Sequence, residues 1–441
     1  MSFAGNAALA GSRFELAVDS RFGLLCRVAA VPGGRTLRHA EALSSDPSAL
    51  GGARGPFRAG AAGLSRDRAL AAAAERAVAL YAAALYERAA FPLAAARDAG
   101  FPTVRPGAFA LYGEAQLARP GFPYVGFDAD TPVRWTSAVD LSDGSTVYVP
   151  ASFVRYPYPW LREGGDLPLS EPVATGLACS ASISAATLAG LYDVIAVDAL
   201  AIFWQAAIAP PRLRVETLPE RLRDLAVRVA GDDDLYLLDV TTDNRVPAFA
   251  AAAVSGDPGT PACVFGGAAS LRPDDAVEAA LLDLAESRRL ARTLAGPAPS
   301  PANDYEDVTA WGDHLAFAAD AGNRKAFDFA LASDERHDLA DYDRRSFADI
   351  DTELEVAVGR ALSTGCRVYA ANLSSEDLTA LGLAVVRVLV PGHLPLFARH
   401  RARALGSERL YDVPRRLGHR GLARGSTGNP APHPFFRGPL P

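Results

Sequence analysis

Lysine is almost missing from this chain. Only Lys325 represents it among 44 lysines and arginines. Any phosphate site must therefore use arginine guanidinium groups, backbone N–H donors or a metal ion. Cysteine is scarce and scattered. Cys26, Cys179, Cys263 and Cys366 are far apart, and no Cys-x-x-Cys occurs, which argues against zinc. They read as free thiols of a cytoplasmic protein. A basic field is also lacking. The net charge of −7 excludes nucleic acid as a partner drawn in by overall charge. There is no uninterrupted apolar run of spanning length and no charged-then-apolar start, so neither a membrane partner nor export is expected. Residues 70–85 are apolar, but they are alanine-dominated and broken by Glu75-Arg76, as in a core helix. No internal repeat is visible.

What is present is enough apolar material for a large core. Of 441 residues, 49% are hydrophobic and 22% charged. The expected layout is a short flexible N-terminus (1–19), one large α+β domain (20–425) and a proline-rich tail (426–441). Residues 174–204 are the most informative run. Thr175-Gly176 reads as a turn and Ser184 as the cap of a helix starting at Ala185. Leu188, Leu191, Ile195, Leu200 and Phe203 then recur at helical spacing. Asp193 and Asp198 lie within that apolar context. Each must meet a cation, a metal or a donor, unless it reaches solvent.

Elsewhere the pattern predicts a strand over 22–31, a Gly/Ser/Pro-rich loop over 44–63 and a helix over 66–86 capped near Ser65 or Asp67. Two strands, 133–135 and 146–151, flank an Asp143-Gly144 turn. Residues 226–230, 234–241 and 248–254 read as strands, and Phe265-Gly-Gly267 as a flexible loop. Helices are expected over 274–294 and 351–363. The strands 367–373 and 384–391 enclose a helix at 374–381, which predicts parallel pairing. By composition alone the end, 429–441, is a disordered segment or a pre-ordered extended tail.

In order and spacing these stretches resemble the YcaO family, the ATP-dependent amide activators of peptide natural-product pathways. Gly176-Leu177-Ala178, Asp198 and Trp204 fit the family's Ser-Asn-Gly-Leu-Ala turn and following helix. The family's two glutamates there fall on Asp193 and Ala196, and its arginine on Val197. Gly60-Ala-Ala-Gly63 and Glu75-Arg76 fit the first signature. Its earlier glutamate falls on Ala72 and its loop lysine near Ala61 or Ala62. Ala280-Leu281, Asp283, Glu286 and Arg288 fit the third signature, and Asp313-His314 fits a further segment. Gly382-Leu383, Pro391-Gly-His-Leu-Pro-Leu396 and Pro432-His-Pro-Phe435 also match.

The resemblance implies a YcaO-like fold with mixed sheets, packed helices and a nucleotide cleft. It implies ATP and Mg as cofactors if the chain is active, or none. It places Glu75, Arg76, Asp193, Asp198, Asp283, Glu286 and Arg288 at the nucleotide, and Glu75, Asp193 and Asp283 at the metal. Pro441, the tail's end, is the catalytic candidate. Ala72, Ala196 and Val197 remove two carboxylates and one cation from the pattern. Two readings follow: a degenerate subunit that scaffolds or presents substrate in an azoline-forming complex, or an active divergent cyclodehydratase. The implied partners are a precursor peptide, a leader-binding protein and either an intact YcaO subunit or a second copy of this chain. An unrelated sugar- or acid-binding protein is the outside alternative.

Overall fold

The computed structural model describes residues 14–32, 37–160, 165–257, 260–294, 296–300, 302 and 304–440. Of the expected flexible N-terminus (1–19), residues 1–13 lie outside the described residues, as does the catalytic candidate Pro441; Phe14, Ala17 and Val18 are described and are buried in the core, contrary to that expectation. The chain begins with β1 (Leu25–Val31), β2 (Arg38–Ser44), β3 (Arg58–Gly63) and α1 (Arg66–Ala84). Then come β4 (Leu93–Ala94), α2 (Glu114–Leu117), β5 (Val133–Asp140), β6 (Thr146–Pro150), α3 (Ala151–Val154), β7 (Leu177–Ser180) and α4 (Ile183–Gln205). The middle holds β8 (Arg212–Leu213), α5 (Glu220–Ala230), β9 (Asp234–Asp239), β10 (Ala248–Val254), β11 (Cys263–Ala269) and α6 (Pro273–Leu294). The last part holds α7 (Trp311–Ala319), β12 (Arg336–His337), α8 (Ile350–Leu362), β13 (Tyr369–Asn372), α9 (Glu376–Ala380), β14 (Ala384–Leu389) and α10 (Arg409–Arg416).

Three sheets result. One is antiparallel, β1-β2-β3. A second runs β11-β10-β9-β8-β12, and its β8–β12 pair is parallel. The third runs β4-β5-β13-β14-β7, with β6 on β5. The fold is therefore α+β with mixed pairing, as expected. Helix α1 lies between the first sheet and β7, and its alanine-rich surface permits close approach on both sides. Ser65 caps it, accepting from Arg68 N at 3.2 Å. Helix α4 packs against β14 and β7 on one side and β11 on the other. That double burial explains why it is apolar all round. It is the one helix among the described residues long and apolar enough to cross a membrane, and 83% of its apolar window is buried.

Five local expectations are corrected. Residues 58–63 form an edge strand, β3, where a loop was expected, and 38–44 add the neighbouring β2. The cap of α4 is Ser182, which accepts from Ala185 N; Ser184 falls in the first turn. Residues 226–230 close helix α5, whose Leu222, Leu225, Ala226 and Val229 make one buried face. Phe265-Gly-Gly267 is strand, not loop. A Cβ at Gly266 would lie 2.1 Å from Leu284 N, so glycine is what lets α6 approach β11 so closely. Finally, β13 and β14 pair antiparallel, Tyr369 opposite Leu389. The short helix α9 turns the chain back but is too short for the crossover that parallel neighbours need.

Candidate active site

Asp193 and Asp283 reach toward each other from α4 and α6. Asp193 Oδ2 accepts from Gly176 N at 2.8 Å, and Asp283 Oδ2 accepts from Gly267 N at 3.0 Å. Between them lies the guanidinium of Arg437, from the tail. Its Nη1 is 3.6 Å from Asp193 Oδ1 and its Nη2 is 3.4 Å from Asp283 Oδ2. Nη2 also donates to Gly267 O at 2.5 Å. The Arg437 side chain is only 13% exposed.

One turn along α6, Glu286 shares the face of Asp283. It is buried and bonded to His39 Nδ1 (2.8 Å) and Arg289 Nη2 (2.6 Å). Burial pushes its carboxyl pKa up, but the His39 and Arg289 hydrogen bonds outweigh burial and hold it below the usual range. Arg289 also pairs with Glu41 on β2 at 3.0 Å. Gly60 on β3 faces this cluster. A Cβ there would lie 2.3 Å from Glu286 Oε1, so the glycine makes room for the carboxylate. Arg76 Nη1 donates to Gly60 O at 2.7 Å, which ties α1 to the same corner.

The tail is docked along its length. Asn429 N donates to Gln205 O, and Trp204 Nε1 donates to Ala431 O at 3.1 Å. His433 stacks on His314, ring centroids 3.7 Å apart, and its Nε2 lies 3.0 Å from Phe397 O. Phe435 is buried. Leu440 N donates to Arg58 O at 2.9 Å, so the tail pairs with β3 just past Arg437.

A model of the YcaO family, described as cyclodehydratases that bind ATP and Mg2+, matches residues 60–394. This chain belongs to the YcaO family. Among solved structures it is similar to a heterocyclase in complex with substrate and cofactor, with a TM-score of 0.76 and 22% identity. That match covers 98% of this chain and 57% of the other. It is also similar to YcaO from Methanopyrus kandleri bound with AMPPCP and Mg2+ (TM-score 0.62, 22% identity, 84% and 86% covered). A third likeness is to the E. coli microcin synthetase McbBCD complex (0.56, 13%, 83% and 88%). At these identities the likeness is one of fold. A curated relative from Rhizobium leguminosarum bv. trifolii, an uncharacterized protein in the tfuA 3'region, is 32% identical over 133 residues. That match spans 29% of this chain and 30% of the relative. The chain thus spans under two thirds of the first heterocyclase and of the curated relative.

YcaO domains bind ATP and Mg2+. The fit of magnesium to this chain is tested by its carboxylates. Mg2+ demands six oxygens at about 2.0–2.1 Å in an octahedron. Among the described residues, no three Asp, Glu, His or Cys side chains gather closely enough to hold a metal ion. Asp193 and Asp283 face a guanidinium, and Glu75 is half-buried on α1. With the tail docked, these residues fit an arginine and not magnesium.

Two expected nucleotide residues lie elsewhere. Asp198 is fully buried and bonded to Arg409 Nη2 (2.6 Å) and Leu394 N (2.8 Å). Burial would raise its pKa, yet the Arg409 guanidinium holds the carboxyl below its ordinary range. Arg409 reaches on to Asp243 at 2.9 Å, so Asp198 pins α10 and the turn before β10 to α4. Arg288 pairs with Asp233 and donates to Ala230 O at 3.0 Å, which closes the end of α5. Both residues are engaged by partners other than Arg437. Sequence reading missed His39, Arg289 and Arg437. The available signal for Arg437 was the departure of Phe436-Arg-Gly438 from the family's Pro-His-Pro-Phe-Pro ending. A cavity of about 960 Å³ opens between Arg105, Asp140, Arg367, Tyr369 and Arg416, and no expected nucleotide residue lines it.

Proposed function

We propose that this YcaO chain is a degenerate subunit of a cyclodehydratase complex that forms azoline or thiazole rings in a ribosomally made peptide, with a scaffold or substrate-presenting role. The observation that carries this reading is the Arg437 guanidinium between Asp193 and Asp283. Supporting it, Ala196 and Val197 are buried apolar residues where the family pattern has a carboxylate and an arginine. The proposed nucleotide-facing remnant is Glu75, Arg76, Asp193, Asp283 and Glu286. The proposed partners are a precursor peptide, a leader-binding protein and an intact YcaO subunit; assembly of that kind is in keeping with the McbBCD likeness.

A second reading is an active divergent cyclodehydratase that converts Cys, Ser or Thr to azolines with ATP. The ordered tail favours it, since a docked proline-rich end is what the family resemblance implies for an azoline former. Phosphate release from ATP, measured with a precursor peptide for the chain alone and with its partner proteins, separates the two. The scaffold reading expects no release by the chain alone, and release with partners that survives Asp193→Asn. Release by the chain alone overturns it.

A further inference from the structure

The two facing carboxylates need a counter-charge. Each accepts one backbone N–H, and neither has a side-chain cation from its own helix. Buried Arg387 on β14 interacts with the charge of Asp193 while donating to Phe153 O and Val173 O, but the guanidinium that reaches both carboxylates is that of residue 437, 244 positions beyond Asp193 and 154 beyond Asp283 by subtraction in the sequence. The tail holds that residue in place from both sides. Upstream, His433 and Phe435 are buried; downstream, Leu440 pairs with Arg58. A group delivered on a short anchored segment acts at high effective concentration, in the millimolar range for flexible links and more when the link is fixed. The contacts at 3.4 and 3.6 Å are ion-pair distances rather than hydrogen bonds. The carboxylates therefore hold the guanidinium by charge, as they would hold another cation, while Gly267 O fixes its orientation.

We propose that Arg437 is the resident cation of the YcaO cleft, and that a divalent cation can bind between Asp193 and Asp283 only when the tail guanidinium is displaced. Arginine and metal then compete for one pair of carboxylates. The competition rests on the remnant site assigned above, but it is tested by binding, which needs no turnover.

The experiment is calorimetric titration of MgCl2, alone and with AMPPCP, into the full chain as wild type, Arg437→Gln and Arg437→Lys. Thermal unfolding is followed in parallel. Arg437→Gln keeps much of the side-chain volume and leaves the upstream tail anchors intact. It is expected to bind Mg2+ at least about tenfold more tightly than wild type. Its melting temperature should be lower without Mg2+ and rise as Mg2+ is added, whereas wild type should respond little. Arg437→Lys retains the charge with fewer donors and should lie between them. Should the glutamine variant fold poorly, the lysine variant alone still has to bind Mg2+ more tightly than wild type. Equal Mg2+ binding by all three proteins, or none by any, overturns the proposal. Release of phosphate by wild type would end the scaffold reading without changing this comparison.

Discussion

At Asp198, a carboxylate with no exposure meets Arg409, and the pair ties α4 to α10. Removing one partner of a buried ion pair strands the other. Asp198→Ala should therefore lower stability by about 3–5 kcal/mol, read from the urea midpoint, and a loss below about 1 kcal/mol would contradict the assignment. At Gly60 the constraint is steric. A methyl group there must displace the Glu286 carboxylate, so Gly60→Ala should cost about 1–3 kcal/mol by chemical denaturation. An unchanged midpoint would mean that Glu286 can move freely. That Asp198 needed a cation, a metal or a donor unless it reached solvent was legible in the sequence, because it lies inside an apolar helix. Which of these holds was not, since the partner, Arg409, lies 211 residues away. The partners of Asp198 and Arg288 were hidden for the same reason: a motif position gives a residue's neighbours along the chain, not across it.

Elements whose pattern is local were readable. Helices α1, α4 and α6 lie close to where periodicity placed them, and β10 occupies 248–254 as expected. Those decided by neighbours were misread. Strand β3 is composed of Arg, Ala and Gly, and becomes a strand through β2 and α1. Helix α5 carries a strand-like run at its end and is fixed by its buried face. The tail is the element with a pH signature. His314 is pushed down to about 4 by burial, and His433, also buried, lies well below the usual histidine value. Their folded pKa values lie below the unfolded value near 6.5, so the unfolded or undocked state binds more protons as pH falls. The stability of the docked tail is therefore full above about pH 6.5 and declines as pH drops toward 4, by up to about 1.4 kcal/mol per pH unit for each histidine. Trp204 and Trp311 touch the tail, so intrinsic fluorescence should report its release in that window before far-UV circular dichroism is lost. Fluorescence unchanged down to pH 4 would contradict the tail's dependence on neutral histidines.

Across the whole molecule, three sheets and the helices between them bring β3, α4, α6 and the tail to one corner. The family resemblance implied a cleft among packed helices. It did not indicate that Arg437 would stand between Asp193 and Asp283, because that side chain comes from the part of the tail that departs from the family's Pro-His-Pro-Phe-Pro pattern. The chain keeps the YcaO architecture and two facing carboxylates, and it answers their charge with its own arginine. The most direct test is a crystal structure of the full wild-type chain grown with excess AMPPCP and MgCl2. The account predicts the Arg437 guanidinium between Asp193 and Asp283, with no metal density there. Magnesium coordinated by those two carboxylates, with Arg437 still docked beside them, would contradict it.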